Sequence, residues 1–149
     1  ETDVWMELTT LLIPGYNDSE AEIDQMTRWV VDKLGPDVPM HFTAFHPDYK
    51  LLDAPRTPLA TLQRSREIAR KNGVRYAYTG NVHDKTGDST YCHSCGLRLI
   101  ERDWYELGEW NLDANGCCKR CGSRCAGVFE RGHGDWGSKR QPVRLANYA

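Results

Sequence analysis

The chain has 149 residues, 40% hydrophobic and 27% charged, with a mean hydropathy of −0.65, which excludes disordered and fibrous classes. Nineteen Lys and Arg against 21 Asp and Glu leave a formal charge of −2, so no overall basic field favours nucleic acid. Apolar runs such as Leu11-Leu12-Ile13 fall far short of the roughly 20 residues a membrane span needs, and no membrane attachment is expected.

Residues 1–90 alternate strand and helix signals. Val4 to Pro14 is rich in β-branched and apolar residues and stops at Pro14-Gly15, as a buried strand does. Asn17-Asp18-Ser19 supplies capping residues, and Ser19-x-x-Glu22 fits a capping box. Ile23, Met26, Val30 and Leu34 follow at helical spacing, with Gly35 placed as the stop. Asp18 and Glu20 read as first-turn helix charges. A second strand spans Val38 to Phe45, and a loop with two prolines runs from His46 to Arg56. Thr57-Pro58 opens a second helix as N-cap and first helical residue, carrying Leu59, Leu62 and Ile68 to a stop at Gly73. Val74 to Asn81 is a third strand. This rhythm predicts an α/β fold of three strand–helix units with parallel strands and right-handed crossovers.

Residues 82–90 are polar turn formers and mark a boundary. Residues 91–129 hold all six cysteines, strand-like runs at Leu97–Ile100 and Trp104–Leu107, and a turn at Asp113-Ala114-Asn115-Gly116. Trp29, Trp104, Trp110 and Trp136 read as packing residues of the core or of this segment. Residues 130–149 form a tail rich in Gly, Lys and Arg without periodicity. Its Arg131, Lys139, Arg140 and Arg144 are a weak argument for nucleic acid, because terminal charges are usually just solvated.

The cysteines carry the clearest chemistry. Cys92-His-Ser-Cys95 and Cys118-Lys-Arg-Cys121 are two C-x-x-C pairs, each followed by glycine, and a hairpin that joins them gives the tetrahedral thiolate shell that zinc prefers. Paired disulfides are the competing reading, but residues 1–91 contain no cysteine to spread such a framework along the chain. A mononuclear iron site is a further alternative. Cys92, Cys95, Cys118 and Cys121 are the expected ligands, leaving Cys117 and Cys125 as packing or exposed thiols, and the expected compartment is the reducing cytoplasm. Four protein ligands make such a site structural.

No other complete catalytic motif is present. His41, His46, His83, His93 and His133 form no H-x-x-x-H pair, and there is no P-loop, nucleophile elbow or G-x-G-x-x-G. Ligands of parallel α/β sheets bind at the carboxyl ends of the strands. Three clusters lie there: Ile13-Pro14-Gly15, Phe45-His46-Pro47 and Thr79-Gly80-Asn81.

LLIPGYND (residues 11–18), HFTAFHPDYK (41–50), YAYTGNVHD (76–84), STYCHSCG (89–96), LIERD (99–103) and the second C-x-x-C-G knuckle followed by GVF (127–129) occur in order. Together they resemble radical S-adenosylmethionine enzymes of the pyruvate formate-lyase-activating type, in the AmmeMemoRadiSam-system subgroup. The resemblance runs from about residue 4 to about residue 129. It implies a partial (β/α)6 barrel with a zinc-ribbon-like four-cysteine extension. It also implies a [4Fe-4S] cluster and S-adenosylmethionine, cleaved reductively to a 5′-deoxyadenosyl radical that abstracts hydrogen from a substrate the sequence does not name. Carried over, Ile13, Pro14 and Gly15 match the strand-end motif lining the adenine, His46 the histidine near the ribose and methionyl part, and Asn81 a position on the same rim.

The C-x-x-x-C-x-x-C motif that ligates the family's cluster is absent. Three strand–helix units are half the expected barrel, so the chain is expected to be the C-terminal half of a larger enzyme, as a fragment, a proteolytic product or one piece of a split protein. The chain opens on Glu1 rather than Met, so the start of the reading frame is expected to lie upstream. Its expected partner is the missing N-terminal half. The alternative is a zinc-ribbon binding module that docks a protein.

Overall fold

The computed structural model describes residues 4–129 together with residues 132, 138 and 139. Three parallel strands, β1 (Leu8–Leu12), β2 (Met40–Ala44) and β3 (Ala77–Gly80), form a sheet in the order β1-β2-β3. The strands are joined through helices α1 (Glu20–Leu34) and α2 (Leu59–Lys71). This is the βαβαβ pattern that the alternating signals predict, in register from Leu8 opposite Met40 to Thr43 opposite Gly80. The third unit differs. Its helix, α3 (Lys85–Asp88), is one turn, because Gly87 and the flanking turn formers cannot sustain more.

Alternation along the strands divides the sheet into two faces. Met40, Phe42 and Ala44 of β2 are buried with Leu12 and Ala77 against Ile23, Val30, Leu62 and Ala69 of the helices. The opposite side carries Thr9, Leu11, His41, Thr43 and Tyr78, and Leu11 is 43% exposed. Both helices therefore cover one face, and β1 has no strand on its outer edge among the described residues.

Ser19 caps α1, its hydroxyl accepting from the Glu22 amide, and Gly35 ends the helix at φ 90°. Within α1 the buried stripe is Ile23, Thr27 and Val30, while Leu34 is 40% exposed. Thr27 earns its place by donating to the Ile23 carbonyl and accepting from Asn72 Nδ2, which also reaches Asp24 and so ties the end of α2 to α1. Asp18 is not a helix charge: its carboxylate accepts the Gly15 amide and closes the turn after β1.

Each strand is shorter than its apolar run. Residues 4–7 precede the first partner on β2 and stay unpaired, and Ile13 turns away, its carbonyl accepting from Tyr16. Thr57 is not the cap of α2 either, since Pro58 occupies that position without a side-chain bond. Its buried hydroxyl instead donates to the Leu12 carbonyl at 2.5 Å and accepts from the Phe45 amide at 2.9 Å, pinning the ends of β1 and β2 together.

A second, antiparallel sheet of β4 (Thr90–Tyr91), β5 (Arg98–Asp103) and β6 (Glu106–Trp110) follows. The predicted strand start at Trp104 is a hairpin turn: Trp104 sits at φ 56°, 46% exposed, with Tyr105 beside it. Trp29 is also exposed rather than packed, whereas Trp110 meets Phe129 edge-on within the second sheet's core. Trp136, His133, Arg131, Arg140 and Arg144 lie outside the described residues. The boundary at 82–90 is not a break in packing, because Tyr76 of the segment leading into β3 is buried among Cys92, Leu99, Ile100, Leu112 and Cys118. No helix among the described residues is long and apolar enough to cross a membrane.

Thr57→Val keeps the side-chain volume but orphans the buried Leu12 carbonyl and Phe45 amide. It is expected to lower stability by about 1 to 3 kcal/mol, measured as a reduced denaturation midpoint with an unchanged urea dependence.

Candidate metal centre

The two C-x-x-C turns are brought face to face by the chain reversal through β5, β6 and the Asp113–Gly116 turn. Asp113 builds that turn, its Oδ1 accepting from the amides of Asn115 and Cys117 while its carbonyl accepts from Gly116. In each knuckle the glycine takes a positive φ, 72° at Gly96 and 75° at Gly122, and its amide closes a turn onto the carbonyl of the first cysteine. That left-handed conformation is open to glycine at no steric cost. The amides that point at sulfur belong to other residues, chiefly Leu97 at Cys95 and Ser123 at Cys121.

The Sγ atoms of Cys92, Cys95, Cys118 and Cys121 all lie within 4.8 Å of one another. Cys92 and Cys121 are 3.5 Å apart and Cys95 and Cys118 3.7 Å. A tetrahedron with metal–sulfur bonds of about 2.3 Å has edges of about 3.8 Å. The four thiols therefore fit a single tetrahedral ion, and the set can hold a metal. No disulfide links any of the six cysteines. Cys117 stays in its turn near the Asn115 carbonyl and Cys125 is buried in the core, so neither belongs to the cluster.

The surroundings favour thiolate. Cys95 is lowered to about 6, first by the Leu97 amide and then, against burial, by Arg120. The Arg120 guanidinium bonds both the Cys95 sulfur, at 3.3 Å from Nε, and the Cys95 carbonyl. Cys121 is lowered by the Ser123 hydroxyl and amide. Cys92 is pushed up to about 11 by burial, a desolvation that a bound cation would offset. Four protein sulfurs complete the shell and leave no position for substrate or water.

The strand-end residues singled out in the sequence lie on one rim. Ile13, Pro14 and Gly15 follow β1, His46 follows β2 and is exposed, and Asn81 follows β3. Side chains take carbonyls at the ends of two of the three strands: at β1 Asn17 Nδ2 bonds Leu11 and Thr57 bonds Leu12, and at β2 Asn81 Nδ2 bonds Ala44 at 3.2 Å. Asn81 holds φ 60°, an uncommon conformation for a residue with a Cβ. Sequence reasoning missed a cavity of about 680 Å3 on the helix-free face of the sheet, lined by Glu7, His41, Tyr78 and Arg102 among others. Its residues come from both sheets with no motif spacing, so only the alternation of β2 and β3 hinted at it.

An uncharacterized protein of Methanocaldococcus jannaschii is 43% identical to this chain over 122 residues. The aligned part covers 81% of this chain and 37% of that protein, so the chain spans well under half of its relative's length. No family model matches the chain, and no solved structure matches it.

Cys118→Ser removes one of two deeply buried ligands. It is expected to abolish stoichiometric metal binding and the protection of residues 91–129 from amide exchange, because the binding energy of such a site is folding energy. Full metal retention with unchanged stability would place the ligands elsewhere.

Proposed function

We propose that this chain is the C-terminal part of a radical S-adenosylmethionine enzyme, its sheet forming half of a partial (β/α)6 barrel and its four-cysteine ribbon holding zinc. The observation that carries the reading is the one-sided parallel sheet. Helices cover one face only, β1 offers a free edge with Leu11 exposed beside it, and the relative is far longer than this chain. A barrel uses such a sheet with its helix-free face turned inward and its edge paired with further strands. The ordered motifs from LLIPGYND to the second knuckle support the same reading.

The family's [4Fe-4S] cluster does not fit the residues present. The chain has no C-x-x-x-C-x-x-C, and its clustered cysteines form a closed shell of their own. The cluster belongs to a part of the enzyme outside this chain, and no step is derived through it. S-adenosylmethionine supplies, when bound, the one-electron chemistry that ends in hydrogen-atom abstraction.

The residues of this chain bind and orient. Ile13, Pro14 and Gly15 present a turn to the adenine, its backbone fixed by Asn17 and Asp18. His46 offers an exposed imidazole to the ribose and methionyl part, and Asn81 stands on the same rim, its amide spent on the Ala44 carbonyl. The pins at Leu12 and Ala44 keep these strand ends fixed relative to one another.

The second reading is a binding module that docks a protein through its ribbon, favoured by the exposed aromatic hairpin tip at Trp104 and Tyr105. The longer polypeptide, reconstituted with iron and sulfide and reduced in the presence of S-adenosylmethionine, separates the two. Release of 5′-deoxyadenosine is expected, with His46→Ala raising the KM for S-adenosylmethionine at unchanged thermal stability. A fully loaded cluster that yields none leaves the binding module. Elemental analysis of the present chain is expected to give about one zinc ion and no iron. Several irons with a brown charge-transfer band would overturn the ligand assignment.

A further inference from the structure

The cavity on the helix-free face has a composition that selects a ligand. Its volume, about 680 Å3, lies within the usual range for small-molecule sites. Tyr78 rises from β3 at its floor, stacked on His41 at 5.0 Å between ring centres, and Trp5, Trp104 and Phe129 contribute to the walls.

The polar tips of three of these rings are already engaged. Tyr78 Oη lies 2.9 Å from Thr90 Oγ1, Trp5 Nε1 donates to Glu7 at 2.9 Å, and Trp104 Nε1 donates to His83 Nδ1 at 2.7 Å. The rings are left to offer their π faces, that of Tyr78 already shared with His41 and Arg102. Both oxygens of Glu7 are likewise taken, one by Trp5 and the other by His41 at 2.8 Å. Burial raises the pKa of Glu7, but the bonds from Trp5 and His41, with the nearby charges of His41 and Arg102, outweigh it and hold the carboxylate below its ordinary value.

Arg102 is different. Its guanidinium carbon lies 5.8 Å from the Tyr78 ring centre, and only Nη1 is spent, on Thr90 Oγ1 and the Asp88 carbonyl. Among the described residues Nε and Nη2 donate no hydrogen bond and the guanidinium forms no ion pair. Glu7 and Asp88 are the nearby acids. Glu7 is held by Trp5 and His41, and Asp88 accepts the backbone amide of Trp104. What remains for a ligand is a stack of aromatic faces and one unfilled pair of guanidinium donors, a geometry that matches a planar carboxylate.

We propose that this cavity binds a planar aromatic carboxylate, its ring lying against the aromatic walls and its carboxylate bonded to the free edge of Arg102. The site is formed entirely by this chain and requires neither a cluster nor S-adenosylmethionine, so it stands or falls separately from the function proposed above.

Calorimetric titration of the metal-loaded chain with 1-naphthoate and with the neutral 1-naphthalenemethanol tests it. Naphthoate is expected to bind with a Kd below about 1 mM, at least about tenfold more tightly than the alcohol. Arg102→Met is expected to erase that preference while leaving the alcohol's affinity unchanged, and Trp104→Ala to weaken both. Metal content and circular dichroism report whether each variant folds. If Arg102→Met does not, the comparison of the two probes on the unaltered chain decides alone. Equal affinity for the two probes would reduce the cavity to an apolar cleft, and no binding of naphthoate would remove the site.

Discussion

Four sulfur atoms within 4.8 Å of one another cannot all be charged unless a cation sits among them. The ribbon is arranged around that constraint. Cys92 and Cys118 are buried and belong to the same cluster as Leu99, Ile100 and Leu112, so the metal ligands are also core residues. An ion that joins them closes the hairpin and completes the apolar core in one event. Without it, burial keeps Cys92 protonated while amide dipoles and Arg120 promote ionisation at Cys95, so the cluster without an ion is a mixture of thiol and thiolate.

The influence of that centre extends into the parallel sheet. Tyr76 and Tyr78 point to one side of the strand that carries Ala77 and Thr79 to the other, so one short segment serves two cores. Ala77 joins the helices, whereas Tyr76 enters the ribbon and its hydroxyl accepts the amide of Ala126 at 2.9 Å. Arg102 crosses in the opposite direction, from β5 to the ring of Tyr78. The cavity is the space left between these contacts. Its floor belongs to the parallel sheet and part of its wall to the hairpin between the two C-x-x-C turns, so an ion held by the four cysteines would steady that wall without facing the cavity.

Local chemistry was readable from the sequence, and long-range substitution of one role for another was not. Ser19 and Gly35 act through neighbours three and four residues away, and the glycine of each C-x-x-C-G knuckle closes its turn onto the first cysteine four residues back, as the local patterns imply. Thr57 looks like a helix cap because a cap and a bridge between strands need the same hydroxyl. The choice was made by Leu12, 45 residues earlier, whose carbonyl accepts the Thr57 hydroxyl. Trp104 looks like a strand residue, but the reversal between β5 and β6 falls there and forces it to positive φ. Tyr78 and Arg102 carry no spacing signal, since their meeting depends on how two sheets pack.

The one-sided sheet ties these features together. A parallel strand buried on both faces reads as a largely apolar run, and Val4 to Pro14 is rich in apolar residues although Glu7, Thr9 and Thr10 interrupt it. Yet in the folded chain Leu12 is fully buried while Leu11, its neighbour on the opposite face, is 43% exposed, and Trp5 and Met6 are similarly open. The composition of β1 thus suits more cover than the described residues give it. The ribbon supplies cover along β3, where Tyr76 and Tyr78 lie, but not along β1. A strand paired along the edge of β1 that is open among the described residues would satisfy its backbone groups at the same time as it shields Leu11.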